Sequence, residues 1–288
     1  MSHGNGDYIM QIGLRFHDSV DLPLEERLKA VKDQGFVCTH IALGKTTGLT
    51  ADPVALTPGF AAYLKNAFTK AEIDVAVLGC YLNLATPDEE ALKKNQNKYM
   101  AHLRFASLLG CGMVGTETGA PNVDYHYDKE ACHSDEALDI FIKNVRPVVE
   151  YAEKMGVILA IEPVYRHIVW NPKRARKVLD TIGSPNLQII FDPVNLLHAD
   201  NYDNRQEVIR EAIELLGPDI AMVHLKDCKL IDGEVKSMAC GLGDMDYTDI
   251  IRFTNEKKPY IQATLEDTVP DNAVAAREYI QKLERELK

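Results

Sequence analysis

The sequence predicts an α/β fold, a (β/α)8 TIM barrel built as a single domain over residues 1–288. Short apolar segments alternate with amphipathic segments along the whole chain, eight of each, which is typical of parallel strands covered by helices. An open doubly wound sheet would usually carry a glycine-rich nucleotide turn, and neither that pattern nor a P-loop occurs here. The absence of a linker or a low-complexity tract favours one domain.

The first half of the chain contains four strand and helix pairs in order. A helix predicted over residues 22–34 ends before Gly35, and a helix over 57–70 has Pro58 at its first position. A longer helix begins at Thr86 and ends near Gly110, and a loop over 118–133 precedes the helix 135–155. The predicted strands are residues 9–14, 36–43, 74–82 and 112–117.

The second half repeats the pattern four times, and each strand is short and apolar. The predicted strands are residues 157–161, 187–191, 220–223 and 260–265, and the helices are residues 172–182, 205–216, 247–255 and 273–287. A second long loop, residues 229–245, follows the seventh strand. Both long loops follow strands, so they belong to the rim where such barrels place their chemistry, either as substrate walls or as simple insertions.

A residue that can bind a cation follows each of the last four strands: Glu162, Asp192, His224 and Glu266, spaced 30, 32 and 42 residues apart. In a parallel barrel all four lie at one rim. Any one of them could be a helix cap or a solvated loop residue, but four at equivalent places predict one divalent metal ion. Three carboxylates and one imidazole suit Mn²⁺, Mg²⁺ or Co²⁺ better than a structural zinc, although Zn²⁺ stays possible.

The composition of the chain limits the kinds of partner that it is expected to bind. The chain carries 43 acidic and 32 basic residues, a net charge of −11, which argues against nucleic acid as the main partner. No apolar run is long enough to span a membrane, and the first eight residues lack the features of a secretion signal. Six cysteines without CxxC spacing indicate a reduced, cytoplasmic compartment. We therefore expect a small-molecule substrate; a homo-oligomer stays open.

Five motifs together make the chain resemble the sugar isomerase/epimerase superfamily with the xylose-isomerase-like barrel, which includes ketose 3-epimerases, inosose dehydratases and endonuclease IV. The resemblance covers essentially the whole barrel. The motifs are Ile161-Glu162-Pro163, Phe191-Asp192-Pro193-Val194-Asn195, Val223-His224-Leu225-Lys226-Asp227, Gly241-Leu242-Gly243-Asp244 with Asp246, and Leu265-Glu266-Asp267.

The resemblance implies that Glu162, Asp192, His224 and Glu266 hold a divalent ion, and that Glu162 and Glu266 also exchange protons with the substrate. The chain departs from the epimerase pattern at two substrate-contact positions. Asn195 stands where the epimerases have a histidine, and Ile168 stands where they have a glutamate. The resemblance therefore carries over the metal site better than the substrate.

This constellation predicts a metal-dependent sugar or sugar-phosphate isomerase or epimerase that moves a proton next to a carbonyl through an enediolate. Bases on opposite sides would invert a carbon, a single base would isomerise, and loss of a β-hydroxyl would make the protein an inosose-type dehydratase. An endonuclease IV-like DNA-repair nuclease is disfavoured by the negative charge and the single histidine ligand. A non-catalytic sugar-binding protein would not need the paired bases Glu162 and Glu266.

Further side chains at the rim are candidate substrate contacts: Lys226, Arg166, Asn195, His198 and Glu117. Lys226 lies two residues after His224, hence on the same strand face, where it could hold the substrate or pair with Asp192 or Asp227. Arg166 could clamp a phosphate or be an ordinary surface arginine, and His198 could be a plain loop histidine.

Weaker candidates for the same pocket are Arg15 and His17 after strand one and Asn83 after strand three. Trp170 could stack on a sugar or serve packing. His40 lies within the second strand, which favours a buried core histidine over a ligand.

Overall fold

In the computed structural model, which describes residues 10–287, eight parallel strands close into a barrel in the order β1-β10-β7-β6-β5-β4-β3-β2. This confirms the predicted (β/α)8 TIM barrel. The barrel strands are β1 (Gln11–Arg15), β2 (Cys38–Ile41), β3 (Asp74–Gly79), β4 (Met113–Thr116), β5 (Ile158–Ile161), β6 (Leu187–Phe191), β7 (Ile220–Leu225) and β10 (Gln262–Leu265). Ile9, the predicted start of the first strand, and the amino-terminal residues judged for a secretion signal lie outside the described residues.

Helices connect the strands and cover the outside of the barrel. They are α1 (Leu24–Asp33), α2 (Pro58–Ala71), α3 (Glu89–Leu109), α4 (Lys129–His133), α5 (Asp135–Met155), α6 (Pro172–Ile182), α7 (Arg205–Leu216), α8 (Thr248–Lys257) and α9 (Ala273–Glu286). The boundary signals act as expected. The Thr57 hydroxyl caps α2 by accepting from the Phe60 N–H at 3.2 Å, and Gly156 ends α5 in the left-handed conformation.

The predicted loop 229–245 instead contains part of an antiparallel hairpin, β8 (Asp227–Ile231) and β9 (Glu234–Met238). Asp232 and Gly233 form its two-residue turn with positive φ angles of 52° and 77°. An Asp-Gly pair at a two-residue hairpin turn is a strong local signal. The expectation of a structureless loop was therefore wrong here, as it was for residues 118–133, which contain the short helix α4.

The inside of the barrel is apolar beneath the rim. Ala160, Ile190 and Met222 belong to a small buried cluster that is separate from the larger core. Because strand side chains alternate, the next inward positions are two residues further on, and they are Glu162, Asp192 and His224. The ends of these strands therefore place a layer of polar side chains directly above an apolar floor inside the barrel.

All six cysteines are free and buried. Within residues 10–287, no helix combines the length and the apolar character needed to cross a membrane.

Candidate metal centre

The structure brings the four predicted ligands together at the C-terminal rim, and all four are buried. Nδ1 of His224 lies 3.4 Å from Oε2 of Glu162 and 3.2 Å from Oε1 of Glu266. Glu162, Asp192 and His224 offer ligand atoms that all lie within 4.8 Å of one another, and so do His40, His224 and Glu266. His224 is therefore the centre of the cluster.

Lys226 supplies a positive charge inside this cluster. Its Nζ lies 2.8 Å from Oδ2 of Asp192 and 3.2 Å from Oε2 of Glu266. Burial alone would lower the pKa of Lys226, but Asp192 and Glu266 outweigh it and raise that pKa above its ordinary value. Likewise, burial would raise the pKa of Glu266, yet His224, Lys226 and Arg15 hold it well below its usual range. Lysine and glutamate are thus both charged.

The residues present fit a divalent ion. Both ring nitrogens of His224 are buried and lack a well-aligned hydrogen bond within the described part of the chain. Burial disfavours the charged imidazole, but the carboxylates of Glu266 and Glu162 raise the pKa of His224 to about 9. The cluster therefore attracts positive charge, and its carboxylate and imidazole donors are ligands that Mn²⁺, Co²⁺ and Zn²⁺ accept.

Hydrogen bonds from the next loop orient two of these ligands. Oδ1 of Asp192 accepts the backbone N–H groups of Val194 at 2.9 Å and Asn195 at 3.1 Å. The Asn195 side-chain amide donates to Oε1 of Glu162 at 2.5 Å. Asn195, which replaces the histidine of the epimerase pattern, thus holds a ligand carboxylate in place, as outer partners of metal ligands commonly do.

The cluster forms one wall of a cavity of about 210 Å³. This volume is below the range typical of drug-sized ligands, and all lining residues except Val164 carry polar side chains. The cavity therefore suits a small, densely polar molecule. Its lining residues are Arg15, His17, His40, Lys45, Tyr81, Glu117, Glu162, Val164, Asn195, Lys226 and Glu266.

Three of the five predicted substrate contacts line this cavity: Lys226, Asn195 and Glu117. Arg166 is exposed, and its guanidinium lies 5.9 Å from the centre of the Tyr127 ring. His198 stacks on Tyr165 with 4.0 Å between ring centres. Neither is among the lining residues, so a substrate role for Arg166 and His198 stays a prediction.

Glu117 adds a third carboxyl group to the cavity. Its Oε2 accepts a hydrogen bond from the Tyr125 hydroxyl at 3.3 Å and lies 3.8 Å from Nε2 of His167. Burial, reinforced by the charge of Glu162, raises the pKa of Glu117 to about 7. This side chain can therefore exist in either protonation state near neutral pH.

Three polar cavity residues were missed or discounted from the sequence, His40, Tyr81 and Lys45. His40 is buried, as expected, but its ring stacks on His224 at 5.5 Å and its Nε2 lies 3.1 Å from the Tyr81 hydroxyl. Its place two residues after Cys38, an interior residue of the barrel, was the available signal. Tyr81 and Lys45 lie just beyond their strands, where strand alternation gives no guidance.

Asp227 organises the loop beyond the hairpin rather than facing the cavity. Its carboxylate accepts backbone N–H groups from Cys228, Gly241 and Met245 at 2.8–2.9 Å. Gly243 packs against it so closely that an added Cβ would lie 2.2 Å from Oδ1 of Asp227. The glycine of the motif is thus required by close approach to the aspartate.

The model of one protein family, described as xylose isomerase-like TIM barrel, matches residues 22–285. None of the curated proteins matches this sequence significantly. Similar solved structures include the 3-keto-D-glucoside 4-epimerase of E. coli, with a TM-score of 0.74, 16% identity and coverage of 96% of this chain and 100% of that one.

Two further structures share the fold. D-psicose 3-epimerase of Clostridium cellulolyticum H10, solved with D-tagatose, has a TM-score of 0.70 and 16% identity, covering 96% of this chain and 99% of that one. The IOLI protein, solved with a zinc atom, has a TM-score of 0.70 and 15% identity, covering 97% and 99%. At these identities the similarity establishes a common fold.

Proposed function

Because the chain belongs to the xylose isomerase-like TIM barrel family, we propose that it is a divalent-metal-dependent isomerase or epimerase of a sugar or a sugar phosphate. The observation that carries this proposal is the placement of two carboxylates, Glu162 and Glu266, beside the same ring nitrogen of His224, Nδ1, and in the wall of one polar cavity. The ion would be held by Glu162, Asp192, His224 and Glu266. The donor set favours Mn²⁺, Mg²⁺ or Co²⁺, with the zinc of the IOLI structure as the alternative.

The chain's own groups provide the proton transfer. Glu162 follows β5 and Glu266 follows β10, so the two carboxylates approach a bound molecule from different sides of the barrel. Glu266 is held in its ionised form by His224, Lys226 and Arg15, and it can take the proton from a carbon next to a carbonyl. For inversion, Glu162, positioned by Asn195, must begin as the carboxylic acid; it then delivers its proton on the opposite face, which inverts that carbon and leaves Glu266 protonated. A bound divalent ion would supply electrostatic stabilisation of the charge that develops on the substrate oxygen.

The relatives support this reading in general terms. Two of the similar structures are named as sugar epimerases, the 3-keto-D-glucoside 4-epimerase and the D-psicose 3-epimerase. The polar lining of the cavity matches a substrate with many hydroxyl groups. Tyr81, Glu117 and Asn195 all present hydrogen-bonding side chains to that space.

Glu117 favours a second candidate, an inosose-type dehydratase on the same site. Dehydration needs a group that protonates the departing β-hydroxyl after the carbon proton has been removed. The pKa of Glu117, raised to about 7 by burial and by Glu162, leaves part of this carboxyl protonated near neutral pH. Glu117 also lines the cavity beside the proposed bases.

The test is solvent exchange. The Mn²⁺-loaded protein is incubated in D₂O with ketoses, ketose phosphates and inososes, and carbon-bound deuterium is followed by mass spectrometry. We expect deuterium next to a carbonyl with the wild type, loss of that signal in Glu266→Gln, and retention in the control Glu256→Gln, an exposed glutamate on α8. The product distinguishes epimerase, isomerase and dehydratase.

Metal binding is measured separately so that a negative exchange result can be interpreted. Calorimetric titration of the protein with Mn²⁺, Co²⁺ and Zn²⁺ should show one tight site that Asp192→Asn weakens. No exchange with any substrate, while the metal is bound, would contradict the proposed proton chemistry.

A further inference from the structure

Three cationic side chains line the cavity, and two of them are neutralised within the protein. Arg15 lies 2.6 Å from Asp18, 3.2 Å from Asp267 and 3.5 Å from Glu266. Lys226 is held by Asp192 and Glu266 at 2.8 and 3.2 Å. Neither is available as the main partner of a charged ligand, because each would have to give up a carboxylate.

Lys45 is different. It ends a short 3-10 turn, Leu43–Lys45, directly after β2, and its ammonium lies 5.5 Å from the centre of the Tyr81 ring. Across residues 10–287, no carboxylate lies within ion-pair distance of it. An ammonium that lines a polar cavity and contacts only an aromatic face still has hydrogen-bond donors to offer.

His17 lines the same cavity. Its Nδ1 is buried and has no hydrogen-bond partner within the described residues. Burial lowers the pKa of His17, and the charges of Arg15 and Lys45 lower it further against the opposing effect of Asp18. His17 and Lys45 both line this cavity of about 210 Å³, so His17 is a neutral donor or acceptor in the same small space as the Lys45 ammonium.

We infer that the substrate carries an anionic group, a carboxylate or a phosphate, that binds at Lys45 and His17. This rests on the proposed function only in taking the cavity as the substrate site. Two groups of lining side chains then have different tasks. Glu162 and Glu266 handle the reacting carbon, and Lys45 and His17 recognise the anion and set the direction in which the molecule lies.

The two basic residues that the sequence offered as substrate contacts, Arg166 and Lys226, lie elsewhere or are already paired. Arg166 is over the Tyr127 ring and is not among the lining residues, and Lys226 is paired with two carboxylates. A charged group placed at Lys226 would compete with Asp192 and Glu266, whereas one placed at Lys45 displaces no protein carboxylate.

The experiment uses three polyols without a carbonyl group, so that binding is separated from reaction: D-sorbitol, D-gluconate and D-sorbitol 6-phosphate. Each is titrated calorimetrically into the Mn²⁺-loaded protein. A charge-assisted hydrogen bond corresponds to roughly a 10- to 100-fold gain in affinity. We expect that gain for at least one of the two anions over sorbitol, and the better anion identifies the group as carboxylate or phosphate.

Variants locate the effect. Lys45→Met should abolish the preference for the anion, Lys45→Arg should retain most of it, and Lys94→Met, an exposed lysine on α3, should leave it unchanged. Equal affinity for sorbitol and both anions, or no binding of any of them, would overturn the inference. So would a preference that survives in Lys45→Met, since the anion would then be binding at the metal. None of these results depends on turnover, so the proposed reaction could fail while this inference holds.

Discussion

Replacing Lys226 by methionine should destabilise the metal-free protein far more than the metal-loaded one. The ammonium is buried against Asp192 and Glu266, at 2.8 and 3.2 Å. Methionine fills a similar space but leaves both buried carboxylates without that cation. Since Glu162 also lies beside Nδ1 of His224, at 3.4 Å, the metal-free variant would concentrate three acidic groups around one imidazole.

The magnitude follows from the cost of removing one partner of a buried pair, about 3–5 kcal/mol. For a protein of this size, each 1 kcal/mol corresponds to roughly 2 °C in melting temperature, so the expected loss is roughly 6–10 °C. A divalent ion that binds only the folded state adds stability in proportion to the logarithm of its concentration over Kd. Because Lys226 competes with that ion for Asp192 and Glu266, the variant should gain more from Mn²⁺ than the wild type does.

The assay is a calorimetric melt of each protein after chelation and again with saturating Mn²⁺. Lys236→Met serves as the control, since Lys236 is an exposed lysine on the hairpin that pairs with Glu234, and it should change stability by less than about 0.5 kcal/mol. If Lys226→Met and the wild type have the same melting temperature after chelation, Lys226 is not the internal counter-ion of this site. If Mn²⁺ stabilises both proteins equally, the competition for the carboxylates is refuted.

Three further predictions concern the scaffold. Gly13→Ala should lower the free energy of unfolding by about 3 kcal/mol or more in a denaturant titration, because the new Cβ would lie 2.1 Å from the Cys38 carbonyl oxygen. The control Gly112→Ala, whose Cβ would have nothing within 4 Å, should be close to neutral, and equal losses in the two variants would contradict the steric argument. Arg174→Met should raise the rate of amide hydrogen exchange over residues 163–171, because Arg174 donates to the carbonyl oxygens of Ile168, His133 and Ser134. Replacing the exposed Arg146 by methionine should not, and unchanged exchange in Arg174→Met would show that other contacts hold the loop 163–171. Burial lowers the pKa of His102, so the unfolded chain binds more protons than the folded one just below about pH 6.5, and the free energy of unfolding should rise with pH there. His102→Gln should flatten that rise between about pH 5 and about pH 7 in urea titrations, and an unchanged dependence of the unfolding free energy on pH would exclude His102 as its source.

The predictable part of the molecule is the part governed by periodicity. Glu162, Asp192, His224 and Glu266 could be grouped because parallel strands bring their ends to one rim, and the structure does bring them together. The same alternation placed Lys226 beside His224. It also contained the information on His40, which a rule of thumb about histidines within strands obscured.

The rest depended on contacts that no local pattern encodes. Arg166 and His198 lie in rim loops, and their directions are set by packing on Tyr127 and Tyr165. Lys45 and Tyr81 reach the cavity from turns whose path depends on neighbours distant in sequence. The hairpin after β7 is the exception, since Asp232 and Gly233 form a sequence pair that by itself indicates a hairpin turn.

The apolar floor formed by Ala160, Ile190 and Met222 has a kinetic consequence. Because apolar side chains fill the barrel beneath the rim cavity, an ion and an organic molecule bound there would enter and leave through the same mouth. An ion held by the predicted ligands would lie deeper, among buried side chains, and it would therefore have to arrive first and depart last. A bound substrate or inhibitor should slow extraction of the ion by a chelator, and the apparent tightness of metal binding should rise as that molecule saturates the site.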